Sequence, residues 1–193
     1  SALFLRGHDL WLRRRASGEE VRLTWDGVED CDYGRLVDYD ASITMERTGY
    51  VQHPLAVWSP DSRKFLTFKI DMRPVKELYA IEAFDDPHSE SIRPRLHSYR
   101  CPFPEDSDRE LPIVTLWLGD AVNGTLQQLD CEPYCFPLLL GNTSSSYARW
   151  LEDSSAVYFT WFSRGNKKAR LCLCDAETGE VRTLVEESHE KFL

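Results

Sequence analysis

No apolar run in this 193-residue sequence approaches the roughly 20 residues a membrane-spanning helix needs; the longest, Phe136 to Leu140, is interrupted by Pro137. A membrane is therefore not an expected partner. Positive charge is scarce as well. Lys and Arg number 23 against 32 Asp and Glu, for a net charge of −9, which argues against a nucleic acid held through phosphate contacts. Arg13-Arg14-Arg15 is the only basic run, and beside a turn it reads as a solvated hairpin end. Metal-ligand spacing is missing: the five histidines form neither H-x-H nor H-E-x-x-H. Six cysteines are present, yet their positions match neither a disulfide scaffold nor a double C-x-x-C site. They read as small buried apolar side chains in a reducing, cytoplasmic compartment.

The machinery of a hydrolase or nucleotide-binding enzyme is absent too. A nucleophile elbow needs Gly-x-Ser-x-Gly, and none occurs. Gly141-Asn142-Thr143 lacks the second glycine and the lysine of a phosphate loop. The expectation is a chain without catalytic residues, cofactor or metal. It does not start with Met and opens in a strand-like run, Ala2-Leu3-Phe4-Leu5, as a piece excised from a longer protein would.

What the chain does contain is repetition. Trp58-Ser59-Pro60-Asp61-Ser62 leads into the strand-like run Lys64 to Ile70, and Trp150-Leu151-Glu152-Asp153-Ser154 leads into Ala156 to Phe162. Both runs carry the aromatic and β-branched residues that fit a pleated, half-buried surface. A second pattern occurs three times. Leu10 to Leu12, Val114 to Leu118 and Leu171 to Leu173 are each followed by a turn ending in glycine, at Gly18, Gly124 and Gly179, and then by another short alternating run. Glycine there supplies the positive φ of a tight hairpin turn.

In chain order this gives one glycine hairpin, then a tryptophan hairpin with a glycine hairpin, then the same pair again. The expected fold class is all-β: a partial β-propeller of about two and a half four-stranded antiparallel blades. The expected organisation is a half blade over 1–30, an inter-blade insertion over 31–53, a blade over 54–130 and a blade over 131–193. An irregular, proline-rich insertion interrupts the middle blade at 84–111. Two and a half blades cannot close a ring, so their open faces favour self-association. A propeller interaction module of the TolB or WD-repeat type, binding a protein through residues 84–111, is the alternative function.

The ordered combination of His8-Asp9-Leu10-Trp11-Leu12, Leu23-Thr24-Trp25-Asp26-Gly27-Val28-Glu29-Asp30 and Val57-Trp58-Ser59-Pro60-Asp61-Ser62 is similar to the N-terminal propeller of dipeptidyl peptidase IV. Arg100-Cys101-Pro102-Phe103-Pro104 and Asp175-Ala176-Glu177-Thr178-Gly179-Glu180 extend the likeness. The resemblance implies a parent serine exopeptidase of the prolyl oligopeptidase family, in which a C-terminal α/β-hydrolase domain carries the triad. There the propeller gates access for short peptides and holds their free amino group on two glutamates of a short helix. The matching segment here, Ile43-Thr44-Met45-Glu46-Arg47-Thr48-Gly49, keeps Glu46 alone, with Arg47 next to it. The resemblance thus points to Glu46 as amine ligand, with Asp38 and Asp40 as weaker substitutes.

Overall fold

The computed structural model describes residues 1–35, 49, 52–82, 94–136 and 147–191. Three antiparallel sheets follow one another along the chain, with a separate hairpin attached to the second. Strands β1 (Ala2–Arg6), β2 (Asp9–Arg13) and β3 (Glu20–Arg22) form the first sheet in that order. Because side chains alternate across a strand, the register Leu3↔Leu12, Leu5↔Leu10 and Leu12↔Val21 puts these residues on one face. Phe4, Trp11 and Arg22 lie on the other, where the Arg6 guanidinium sits 4.5 Å above the Trp11 ring.

The second sheet begins with β4 (Cys31–Tyr33) and β5 (Val57–Trp58), which lie end to end along β6 (Lys64–Asp71). The chain then leaves the sheet for the hairpin β7 (Glu77–Glu82) and β8 (Arg95–Arg100), and returns through β9 (Ile113–Asp120) and β10 (Thr125–Gln128). The order is β10-β9-β6, with the split strand β4/β5 at the edge. The third sheet runs β11 (Ala148–Trp150), β12 (Ala156–Phe162), β13 (Lys168–Asp175) and β14 (Val181–Ser188) in sequence order.

The tryptophan turns and glycine turns fall where the repeat places them. Ser59 and Ser62 N–H groups donate to the carbonyls of Lys64 and Ser59 (2.9 and 2.8 Å), and Leu151 and Ser154 repeat the pattern with Ala156 and Leu151 (2.9 and 3.0 Å). In the glycine turns, φ is 73, 70 and 74° at Gly18, Gly124 and Gly179. Each of these glycines donates to the carbonyl four residues back, of Arg14, Asp120 and Asp175.

Three local assignments differ from the sequence reading. The first unit has three strands, because the opening run pairs with β2 along its whole length. Cys31–Tyr33, read as inter-blade, is a strand of the second sheet. The proline-rich stretch is not wholly irregular, since Arg95–Arg100 pairs residue for residue with Glu77–Glu82. Alternation in that strand is hard to read because it is polar on both faces, Arg-Leu-His-Ser-Tyr-Arg.

Packing divides the core in two. Between the second and third sheets, Leu66, Phe68, Ile70, Val114 and Leu116 meet Trp150, Val157, Phe159, Cys172 and Cys174. Cys172 and Cys174 thus share a buried face, and all six cysteines are free thiols. A smaller cluster of Leu10, Leu12, Leu23, Tyr33, Phe65 and Ala121 joins the first sheet to the second. Polar ties cross both junctions: Trp150 Nε1 donates to the Val57 carbonyl (2.8 Å), and Arg14 donates to that of Ala121 (3.1 Å).

Candidate functional site

Cys31, Asp32 and Tyr33 are consecutive and all buried, so both faces of β4 are covered. On one face this buries a carboxylate, only 6% exposed, and a buried charge requires partners. His8, from the β1–β2 turn, supplies one: its Nδ1 lies 2.6 Å from Asp32 Oδ1. Arg35 supplies another at 3.5 Å, through a buried Nε that has no hydrogen-bond acceptor among the described residues. Burial pushes the Asp32 carboxyl above its ordinary value, against the opposing pull of His8 and Arg35.

The opposite face of β4 carries Tyr33, whose hydroxyl donates to Asp26 (2.7 Å). Lys69, from the adjacent β6, donates to the other Asp26 oxygen at 2.5 Å and stands 5.0 Å over the Tyr33 ring. Partial burial acts to raise the Asp26 carboxyl, but the Lys69 and Tyr33 bonds outweigh it and hold it below its ordinary value. Burial and the Asp26 carboxylate together push the Tyr33 hydroxyl far up, so it is a permanent donor.

A third carboxylate organises the approach to these two. Asp9 accepts from Arg22 (2.6 Å), the Thr24 hydroxyl (2.8 Å) and the Gly27 N–H (3.0 Å). Burial raises its carboxyl and these donors more than reverse the effect, leaving it below its ordinary value. Only glycine fits at 27, because a Cβ there would overlap the His8 carbonyl. Asp30 completes the group by pairing with Arg100 of the hairpin at 2.6 Å.

The junction lies at the root of the segment that carries the sequence-predicted ligands. Gly34 N–H donates to the Phe68 carbonyl (2.7 Å), and Leu55 N–H donates to the Gly34 carbonyl (2.8 Å). Gly34 and Leu55 therefore meet at one point on the edge of the second sheet. Asp38, Asp40 and Glu46 lie outside the described residues. His8, Asp26, Asp32, Arg35 and Lys69 were not singled out from sequence. The available signal was Asp32, a carboxylate inside a three-residue strand between Cys31 and Tyr33.

Chemically, the described part of the junction is suited to hold geometry rather than to react. Its carboxylates already accept from cations or hydroxyls. Burial also raises the Cys31 thiol, which keeps it protonated and a poor nucleophile.

The whole chain, residues 1–193, matches the family model of the dipeptidyl peptidase IV N-terminal region. Among solved structures, Porphyromonas gingivalis dipeptidyl peptidase 4 is similar at a TM-score of 0.66 and 13% identity; the match covers 98% of this chain and 24% of that one. A Bacteroides ovatus protein assigned as a dipeptidyl aminopeptidase IV is similar at a TM-score of 0.59 and 16% identity, over 99% of this chain and 29% of the other. At such identities the likeness is one of fold, and the chain spans less than a third of either relative. With three successive antiparallel sheets packed face to face and a family match over its full length, the chain belongs to the dipeptidyl peptidase IV N-terminal region family.

Proposed function

We propose that this chain is the non-catalytic propeller portion of a dipeptidyl peptidase IV-like serine exopeptidase. In that role it gates access to a C-terminal α/β-hydrolase domain and helps position the free amino end of a short peptide. The observation that carries the reading is the split edge strand. Gly34 and Leu55 are hydrogen-bonded to each other at one point of the second sheet, beside His8, Asp32 and Arg35. Asp38, Asp40 and Glu46 lie between those two residues in sequence, and a carboxylate binds an ammonium group through charge-assisted hydrogen bonds. Recognition of a free amine by a fixed carboxylate counts residues from the peptide's end, which is how an exopeptidase of this kind selects its cleavage point.

Two measurements test this. The isolated chain is expected to give no turnover of a Gly-Pro chromogenic dipeptide, and measurable turnover would overturn its non-catalytic role. In the full-length protein, Glu46→Gln is expected to raise KM for free-amine dipeptide substrates while leaving an N-acetylated analogue unaffected. An equal effect on both would remove Glu46 from amine recognition.

One observation favours the interaction-module reading as a second possibility. The β7–β8 hairpin presents Tyr79, Ile81 and Leu96 on one face at 65, 70 and 67% exposure. A cluster of exposed apolar side chains on one face of a hairpin is a form a protein-binding surface takes. Binding of a partner that is lost in Ile81→Ser, with peptidase activity intact in the full-length protein, would favour this second reading.

A further inference from the structure

Arg100, the last residue of β8, joins the hairpin to the charged junction. Its Nε donates to Asp30 (2.6 Å), its Nη1 to the Val75 carbonyl (2.6 Å) and its Nη2 to Glu77 (3.3 Å), the residue opposite it in the hairpin register. One guanidinium thus holds the start of its own hairpin against the residue that opens β4, 70 positions earlier in the chain.

β4 needs such a hold. It is three residues long and lies at the edge of the second sheet, where among the described residues it pairs with β6 alone. Both of its flanks turn through left-handed backbone: φ is 60° at Asp30 and 59° at Gly34. Glycine adopts that conformation without a steric cost, whereas a residue with a side chain keeps it only where its surroundings hold it there. Asp30 is held at its carbonyl, which accepts the Met72 N–H (2.7 Å), and at its carboxylate, which accepts from Arg100. At the other end, Gly34 accepts the Leu55 N–H. Because β4 is buried on both faces and close-packed, a shift of Asp30 along β6 carries Gly34 with it.

A second arginine grips the same region from the third sheet. Arg164 donates to Asp108 (2.7 Å) and to the Pro104 and Asp106 carbonyls (2.8 and 2.7 Å). These partners lie in the loop that follows β8, so Arg164 holds that loop without acting on Asp30.

We infer that Arg100 is a positioning residue: through Asp30 it fixes β4, and through β4 the point where Gly34 and Leu55 meet. This deepens the proposed positioning of a peptide's amino end, and it rests on that reading for the effect on substrate though not for the effect on β4.

Amide exchange and steady-state kinetics on the full-length protein test it together. Arg100→Gln and Asp30→Asn each remove the charge pair, and asparagine tolerates the left-handed conformation of residue 30. Each is expected to speed exchange of the Gly34 and Leu55 amides by about tenfold, as loss of a charge-assisted hydrogen bond implies. The double variant should exchange no faster than either single one, since both break the same contact. Arg100→Lys, which keeps a cation within reach of Asp30, should recover most of the protection, and Arg164→Gln should leave both amides as in wild type. KM for a free-amine dipeptide substrate is expected to rise about fivefold in Arg100→Gln with kcat little changed, and an N-acetylated analogue should be unaffected. Unchanged exchange at both amides in Arg100→Gln would overturn the inference. So would equal acceleration in Arg164→Gln, because loosening of the hairpin region in general would then be the cause. Faster exchange with KM unchanged for both substrates would leave the grip on β4 standing and remove the amine-positioning reading.

Discussion

The second and third sheets meet through a continuous apolar layer, whereas the first and second meet over a small apolar cluster flanked by buried charge. Phe68, Leu116 and Phe159 typify the former, all at most 1% exposed. His8–Asp32 and Arg22–Asp9 typify the latter, each with its carboxylate buried. Both junctions are made by antiparallel sheets, and the contrast in what they bury is one of side-chain chemistry. Apolar burial is non-directional and stabilises in proportion to area. A hydrogen-bonded charge contributes less net stability, yet it fixes the position of one backbone segment relative to another. The charged junction lies where the chain leaves the sheet at Gly34, and there position matters more than strength.

The largest effect that can break this comparison is expected at the apolar junction. Phe68→Ala should destabilise by about 3–5 kcal/mol, as large-to-small changes at fully buried aromatics do. Urea denaturation measures it directly, and a loss below about 1 kcal/mol would mean that the two junctions do not differ in this way. Next comes Gly27→Ala, expected to cost about 2 kcal/mol, because the new methyl overlaps backbone that cannot rotate aside. Its effect should also reach the His8–Asp32 pair, visible as a shift in the His8 ring resonances.

The finest test separates two carboxylates within the charged junction. Asp9 is held below the ordinary value of 3.8 in the folded state, so its stabilisation is full above that value and is lost as pH falls below it. Asp32 is raised, so it favours folding most below 3.8 and less as pH climbs through the range above. Asp9→Asn is therefore expected to cost about 1–2 kcal/mol at neutral pH and nothing in strong acid. Asp32→Asn, which mimics the protonated form, should cost less than Asp9→Asn at neutral pH. Denaturation midpoints of the three proteins across the acid range check the ordering, and equal losses for both variants would contradict it.

Much of the fold was legible because its turns are written in residue types with single uses. Gly124 and Gly179 adopt positive φ in turns whose leading aspartates, Asp120 and Asp175, accept the next N–H groups. Trp58 and Trp150 mark the strands ahead of the other turns. β4 was not legible: three residues give no periodicity, and its pairing with β6 is decided some forty positions later in the chain. The same holds for the candidate site. Asp38, Asp40 and Glu46 came from a family resemblance, while His8 meets Asp32 and its neighbour Arg35 from 24 residues earlier in the chain, a spacing that no motif marks.

The sequence by itself determined the recurrence of the two turn types and the absence of a nucleophile elbow, since these depend on local residue types and their intervals. Tertiary structure alone decided that the edge strand of the second sheet is split and that a buried carboxylate marks its root. It also decided that the glycine turns of the second and third sheets each pack against the sheet before them. Those facts depend on which sheet faces which, and burial and register across strands far apart in the chain are not encoded in any single stretch of it.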